Sequence, residues 1–263
     1  MPPRGSQRRS LHDFQQLAGW VIWALNVCPL LWPGLSAVYD KTRGKIRSNG
    51  KISISKAAVR DLSWFAAHLK RSDGVQLLEE LDWDPCDAEV TVFCDASLLG
   101  LGFFFDGCSM AFQARPPSAA LQNSLALEAL CVCWALHEVE RLLMPVFKMV
   151  VIWTDSLDTV DIFSSLSAKP LYNEILKSAV DVLIRTNLKL HVCHIEGRKN
   201  IVTDALSRYL NDTAHKACPG LYIDDSQAPP SLHWPTAAPP KRRLRSARRV
   251  VPHNVHIIPP SSG

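Results

Sequence analysis

The chain has 263 residues, a formal charge of +4, 47% hydrophobic and 21% charged residues. That balance excludes a disordered chain, and the length allows one well-filled domain plus appendages. The charge is unevenly placed: Lys241–Arg249 carries six cations and Arg4, Arg8 and Arg9 three more, which leaves the body net negative. General attraction to nucleic acid is therefore expected at the two ends, and the body needs metal ions or local donors to approach phosphates.

Residues 1–10 are polar and basic and are expected to be disordered. Residues 11–88 read as a helical segment. LHDFQQLAGWVIWAL has apolar residues at helical spacing, PGLSAVYDKT opens at a proline suited to a first turn, and SKAAVRDLSWFAAHLK has Ser55 as its N-cap. In that last stretch Ala58, Leu62, Phe65 and Leu69 share one face. No charge falls between Phe14 and Tyr39, which would suit a membrane span, but Pro29, Pro33 and Gly34 interrupt the run. A buried helix–turn–helix is the expectation, with Trp20, Trp23, Trp32 and Trp64 in its core.

From Val90 the period changes. VTVFCD is a short apolar strand, and GLGFFFDGCSMAFQA a hairpin turning near Asp106-Gly107. A long helix over 124–143 is followed by the buried strand KMVVIWTD and a short helix capped by Ser156. PLYNEILKSAVDVLIRTN is another helix, LKLHVCHI a final strand and NIVTDALSRYL a terminal helix. The order β-β-β-α-β-α-α-β-α predicts an α/β (α+β) domain over 89–210 with a five-stranded mixed sheet flanked by helices. Over 211–263 proline is dense, apolar periodicity fades, and a disordered tail is expected.

The eight cysteines show no C-x-x-C spacing and several lie in apolar runs, so reduced thiols in an intracellular protein of nucleus or cytoplasm are expected. His191, Cys193 and His194 are close in sequence, but a strand points 191 and 193 one way and 194 the other, so packing explains them better than a metal.

Four acids carry the chemistry: Asp95, Glu128, Asp155 and Asp204. Asp95 and Asp155 end apolar strands, and neighbouring parallel strands would bring both to one sheet edge. Glu128 sits among leucines early on the long helix, and Asp204 lies one turn after Asn200. Carboxylates in apolar surroundings are costly without compensation. Hard divalent cations, magnesium or manganese, are the usual compensation. Two such ions suit an in-line phosphodiester displacement. The bland alternative makes Asp155 a helix cap and leaves Asp204 in solvent; Asn200 is expected to cap the last helix.

The stretch from Val90 to Arg208 resembles the type-1 ribonuclease H domain of retroelement reverse transcriptases. It carries the aspartate after a strand, the glutamate on a helix, TDS, and G-x-x-N-x-x-x-D-A-L-S-R. The resemblance implies that Asp95, Glu128, Asp155 and Asp204 bind two magnesium ions and that the RNA strand of an RNA–DNA hybrid is cut. It also implies a histidine helping product release, here His194, and substrate contacts at Asn200 and Ser97. Residues 11–88 look like the connection segment between polymerase and ribonuclease H in fungal retroelements, those of the tyrosine-recombinase class above all.

Polymerase fingers and palm are missing before Leu11, so a polymerase partner would act in trans. YIDD, at 222–225, mimics a polymerase motif but lacks the flanking apolar strands. A fragment of a retroelement polyprotein is expected: an active hybrid nuclease or, as the rival, a catalytically inactive remnant that only binds nucleic acid or a polymerase. The run KRRLRSARR could import the protein to the nucleus, bind phosphates or simply be solvated.

Overall fold

The computed structural model describes residues 8–72, 83–116, 123–143 and 146–227. The KRRLRSARR run lies outside them.

The helical segment opens with β1 (Arg8–Ser10), which pairs antiparallel with β2 (Lys51–Ser53). Ser10 then starts α1 (Leu11–Leu25) through a reciprocal capping box with Asp13. Of residues 1–10, expected to be disordered, 8–10 instead form a strand pairing and a helix cap, and 1–7 lie outside the described residues. The chain turns through a 3-10 stretch over Pro29–Leu35 into α2 (Ser36–Thr42). The prolines interrupt the helix where expected. After β2, Ser55 caps α3 (Lys56–Arg71). Leu11, Phe14, Leu35, Val38 and Phe65 are among the buried residues of this small core. Trp20 and Trp23 are not: they are 76% and 71% exposed, because α1 buries its Leu11–Phe14–Val21–Leu25 face and these two point away from it. Among the described residues no helix is long and apolar enough to cross a membrane.

The second part is built on a mixed sheet of β3 (Val90–Ala96), β4 (Leu101–Phe105), β5 (Met110–Ala114), β6 (Met149–Thr154) and β7 (Lys189–His194). The helices are α4 (Ser124–Leu143), α5 (Leu157–Ser165), α6 (Asn173–Thr186) and α7 (Ile201–Ser207). The sheet order is β7-β6-β3-β4-β5, with β3, β6 and β7 parallel and β4 antiparallel to both neighbours. This is the ribonuclease H-like arrangement. Val92, Cys94, Leu101, Phe103, Val150 and Ile152 pack against α4, whose residues from Ala126 to Leu136 are almost wholly buried.

Two further elements lie where a structureless tail was expected. α8 (Asn211–Ala217) packs against α7, and β8 (Tyr222–Asp225) pairs parallel with β5, making six strands rather than five. The physical reason is long-range: Leu221 and Ala214 complete a small core with Ala111 and Leu206. Ser226 accepts from Trp134 Nε1 at 2.7 Å and donates to Glu138 at 2.7 Å. YIDD is thus a sheet-edge strand.

The two parts meet along α6. Lys177, 5% exposed, bridges Asp61 at 3.0 Å and Glu174 at 2.9 Å, while the other oxygen of Asp61 accepts from the Ala37 amide. Asn173 donates to the Pro33 carbonyl, Ser36 to the Ala168 carbonyl, and Trp64 and His68 both reach Asp181. A seam this rich in buried polar contacts specifies one docking geometry.

Candidate active site

The register between β3 and β6 pairs Val90 with Val150 and Phe93 with Trp153. Extended by two residues, it sets Asp95 beside Asp155 at the carboxyl ends of two parallel strands. Glu128, on the second turn of α4, reaches the same edge. One carboxylate oxygen from each of Asp95, Glu128 and Asp155 lies within 4.8 Å of the others. Among the described residues this is the one group of three or more ligating side chains that could hold a metal.

The two inner acids, Asp95 and Glu128, are fixed from behind. Ser207 Oγ donates to Asp95 Oδ2 at 2.6 Å, and Cys131, one turn after Glu128, sends its thiol to the Asp95 carbonyl. Glu128 accepts from the buried Thr154 hydroxyl at 3.5 Å and from the Ala96 amide. Asp155 is exposed and sits against Gly197, where an added Cβ would stand 3.2 Å from its Oδ2. The glycine leaves room for that carboxylate.

Burial is the chief influence on both inner acids. It raises the Asp95 carboxyl to about 6, against a weaker pull downward from the Ser207 hydroxyl and a push upward from Asp155 and Asp204. Glu128 is driven by burial, then by Asp95 and Asp155, to about 8. Three crowded carboxylates without a built-in cation are the setting that a divalent ion relieves. The oxygen-only donor set suits a hard cation.

Asp204 stands apart from the three. Its side chain is 48% exposed, and Arg208, one turn on, holds its Oδ1 with two nitrogens at 2.9 and 2.8 Å. It is near enough to Asp95 to raise it electrostatically. His194 ends β7, paired in register with Thr154, and is exposed beside the acidic edge. His191 instead packs its ring on Trp83, with centroids 4.4 Å apart.

Asn200 does not cap α7 with its side chain. It is 2% exposed and its Nδ2 donates to the Cys94 carbonyl at 2.8 Å, tying the start of α7 to the end of β3. A cap would need its Oδ1 to accept from a helix N–H, and with the amide end anchored on the strand that contact is not made. Its Oδ1 is buried with no hydrogen-bond partner among the described residues. Ser97 donates to the Ser207 carbonyl at 2.7 Å and accepts from the Leu99 and Gly100 amides, shaping the β3–β4 turn.

Two contributors were missed from sequence. Ser207 follows Asp204 by three residues, a helical spacing that puts both on one side of α7. Gly100 and Gly102, two apart on one strand face, let α7 lie directly on β4: a Cβ at Gly102 would come within 2.6 Å of Leu206 Cβ. The paired glycines were the available signal.

No family model matches the chain, and no curated protein matches it. Among solved structures it is similar to a foamy viral protease-reverse transcriptase in complex with RNA/DNA hybrid. The identity is 14% and the TM-score 0.28, with 70% of this chain and 25% of that chain covered. A prototype foamy virus protease-reverse transcriptase mutant gives the same identity and score, with 24% of its chain covered. The chain thus spans about a quarter of the length of these two structures. The strand order, not this likeness, defines the fold.

Proposed function

We propose that the chain is a metal-dependent endonuclease that cuts the RNA strand of RNA–DNA hybrids. The observation that carries this reading is the meeting of Asp95, Glu128 and Asp155 within 4.8 Å at the end of two parallel strands. The motif resemblance to retroelement ribonuclease H, over residues 90–208, supplies the substrate class. Magnesium, with manganese as a substitute, fits the donor set, and two ions are the number the resemblance implies. Bound there, such ions supply an acidified water for attack and positive charge for the leaving 3′-oxygen.

The chain's own groups orient this edge. Ser207, Thr154 and the Ala96 amide aim the carboxylates of Asp95 and Glu128, while Gly197 leaves Asp155 free to turn outward. Asp204 would be the fourth ligand, which would require it to give up its pairing with Arg208. His194, exposed at the end of β7, takes in this reading the product-release role that the resemblance implies. Asn200 and Ser97 shape the strand ends, and direct contact of either with substrate requires release of the hydrogen bonds they now make. Hybrid selectivity would come from 2′-hydroxyl contacts and groove shape. A polymerase domain is the partner this reading implies. The setting is intracellular, nucleus or cytoplasm, as eight free cysteines suit.

The rival reading, an inactive remnant that binds without cutting, draws on the Arg208–Asp204 ion pair, which leaves three carboxylates for metal. A labelled RNA–DNA hybrid incubated with the full chain, in magnesium and in chelator, separates the two. Magnesium-dependent cutting of the RNA strand alone is expected, lost in Asp204→Asn. Binding without cutting by the folded protein would transfer the assignment to the remnant.

A further inference from the structure

Between Lys41 and Lys56 the chain carries six cations and no acid. The structure gathers four of them around one depression. Lys41 at the end of α2, Lys45 and Arg47 in the following loop, and Lys51 on β2 line a cavity of about 450 Å³ with no acidic residue in its wall. Elsewhere in the structure many cations are neutralised, as in Lys177–Asp61, Arg185–Glu140 and Arg208–Asp204. Among the described residues none of these four forms an ion pair. Like charges gathered without counter-charge repel one another, so such a cluster is favoured by an anionic ligand.

The loop is held in shape. Lys45 N donates to the Thr42 carbonyl and Gly50 N to the Arg47 carbonyl, while Leu11 N and His12 N of α1 donate to Gly50 and Ser48. Between the two loop cations Ile46 is 95% exposed. An apolar side chain standing in water between two cations matches a nucleic-acid groove, where cations take the phosphates and an apolar tip lies on sugars or bases.

A separate cavity lies between the end of α2 and the elements that carry the acidic edge. This cavity, of about 1130 Å³, runs from Tyr39, Thr42 and Arg43 at the end of α2 to Leu125 on α4 and Asp158 on α5. Leu125 and Asp158 are each three residues from a site carboxylate, Glu128 and Asp155 respectively.

We infer that Lys41, Lys45, Arg47 and Lys51 form a phosphate-binding pocket that holds the backbone of a nucleic-acid duplex whose other part lies on the acidic edge. The inference rests on the proposed nuclease reading for the identity of its ligand. It locates on the helical segment the grip that the net-negative body otherwise lacks.

The test is fluorescence anisotropy of a labelled 24-base-pair RNA–DNA hybrid with the full chain, without divalent ions, at several salt concentrations. Lys45→Ala/Arg47→Ala should weaken binding about tenfold and reduce the slope of log affinity against log salt by about 2, close to one per lost phosphate contact. Lys45→Gln/Arg47→Gln, which keeps the side-chain length, should do the same. Lys56→Ala/Lys70→Ala, which removes two exposed cations of α3, should change neither quantity. Ile46→Ala should cost severalfold in affinity at unchanged salt slope. Equal effects of the loop and α3 doubles, no effect of the loop doubles, or a wild type that fails to bind the hybrid would each overturn the pocket. A wild type that binds through the loop yet never cuts leaves the pocket standing and removes the nuclease reading. One that cuts with the loop doubles binding normally does the reverse.

Discussion

Two of the places where this molecule buries carboxylates handle the charge in opposite ways. At the seam between α3 and α6, Asp61 is 2% exposed and meets the Lys177 ammonium and the Ala37 amide, so its charge is answered from within the chain. At the sheet edge, Asp95 and Glu128 are crowded by each other and by Asp155, and the described residues supply hydroxyls and an amide there but no cation in contact. The first arrangement is finished, and removing one partner can only damage it. The second stays strained until a cation arrives, which is the signature of a site rather than of a scaffold. The difference shows that burial of an acid does not by itself mark function; the missing counter-charge does.

The largest effect that would sharpen this contrast is catalytic. Asp155→Asn removes a ligand charge at nearly constant volume and should lower the single-turnover rate on a labelled hybrid by on the order of 10³ or more. Its metal-free melting temperature should stay the same or rise, since one repelling charge has gone. Normal turnover by this variant would remove Asp155 from the site.

The seam should respond the other way. Lys177→Met leaves the buried Asp61 without its cation, Glu174 keeping only Arg60 at 3.9 Å, and should cost about 3–5 kcal/mol in urea unfolding. Glu128→Gln, by contrast, should stabilise the metal-free protein at pH 8. If both variants destabilised equally, the distinction between the two places would fail.

The pH dependence follows from the raised inner acids. Their folded values, about 6 for Asp95 and about 8 for Glu128, lie above the ordinary 3.8 and 4.5. A carboxyl raised on folding contributes its stability fully below the ordinary value and loses it as pH climbs through the folded one. The metal-free protein should therefore lose on the order of 1–3 kcal/mol between pH 5 and pH 8.5. Saturating magnesium should recover the loss, and urea titrations at the two pH values with and without the ion would read both. A metal-free protein more stable at pH 8.5 would contradict the crowding of these acids.

The smallest effect concerns orientation. Ser207→Ala removes the hydroxyl that donates to Asp95 and should weaken magnesium binding by about tenfold while costing about 1 kcal/mol of stability. Calorimetric titration with magnesium would measure the first quantity.

Much of this was legible from the residues. Strand and helix periods, Ser55 and Ser156 as caps, the hairpin at Asp106-Gly107 and the element order depend on neighbours within a few positions, and each recurs in the fold. The four acids could be placed on their elements for the same reason. Less local matters were not readable. Trp20 and Trp23 have the spacing of a helix interior, yet only packing decides which face of α1 is covered. Asn200 has the residue type and place of a cap, and the nearness of the Cys94 carbonyl diverted it. Residues 211–226 lack a strong period of their own and gain structure from Ala111 and Trp134, which are far away in sequence, together with the nearer Leu206.

By itself, then, the amino-acid sequence determined the elements, their order, the ribonuclease H-like class and the four carboxylates worth testing, because these follow from local propensity and spacing. Only the tertiary structure decided that three of those acids share one edge while the fourth is held by Arg208, that Ser207 and Gly197 shape their surroundings, and that the loop cations face one pocket. Those outcomes turn on strand register and on contacts between residues up to about a hundred positions apart, where a shift of one residue reverses which face a side chain takes.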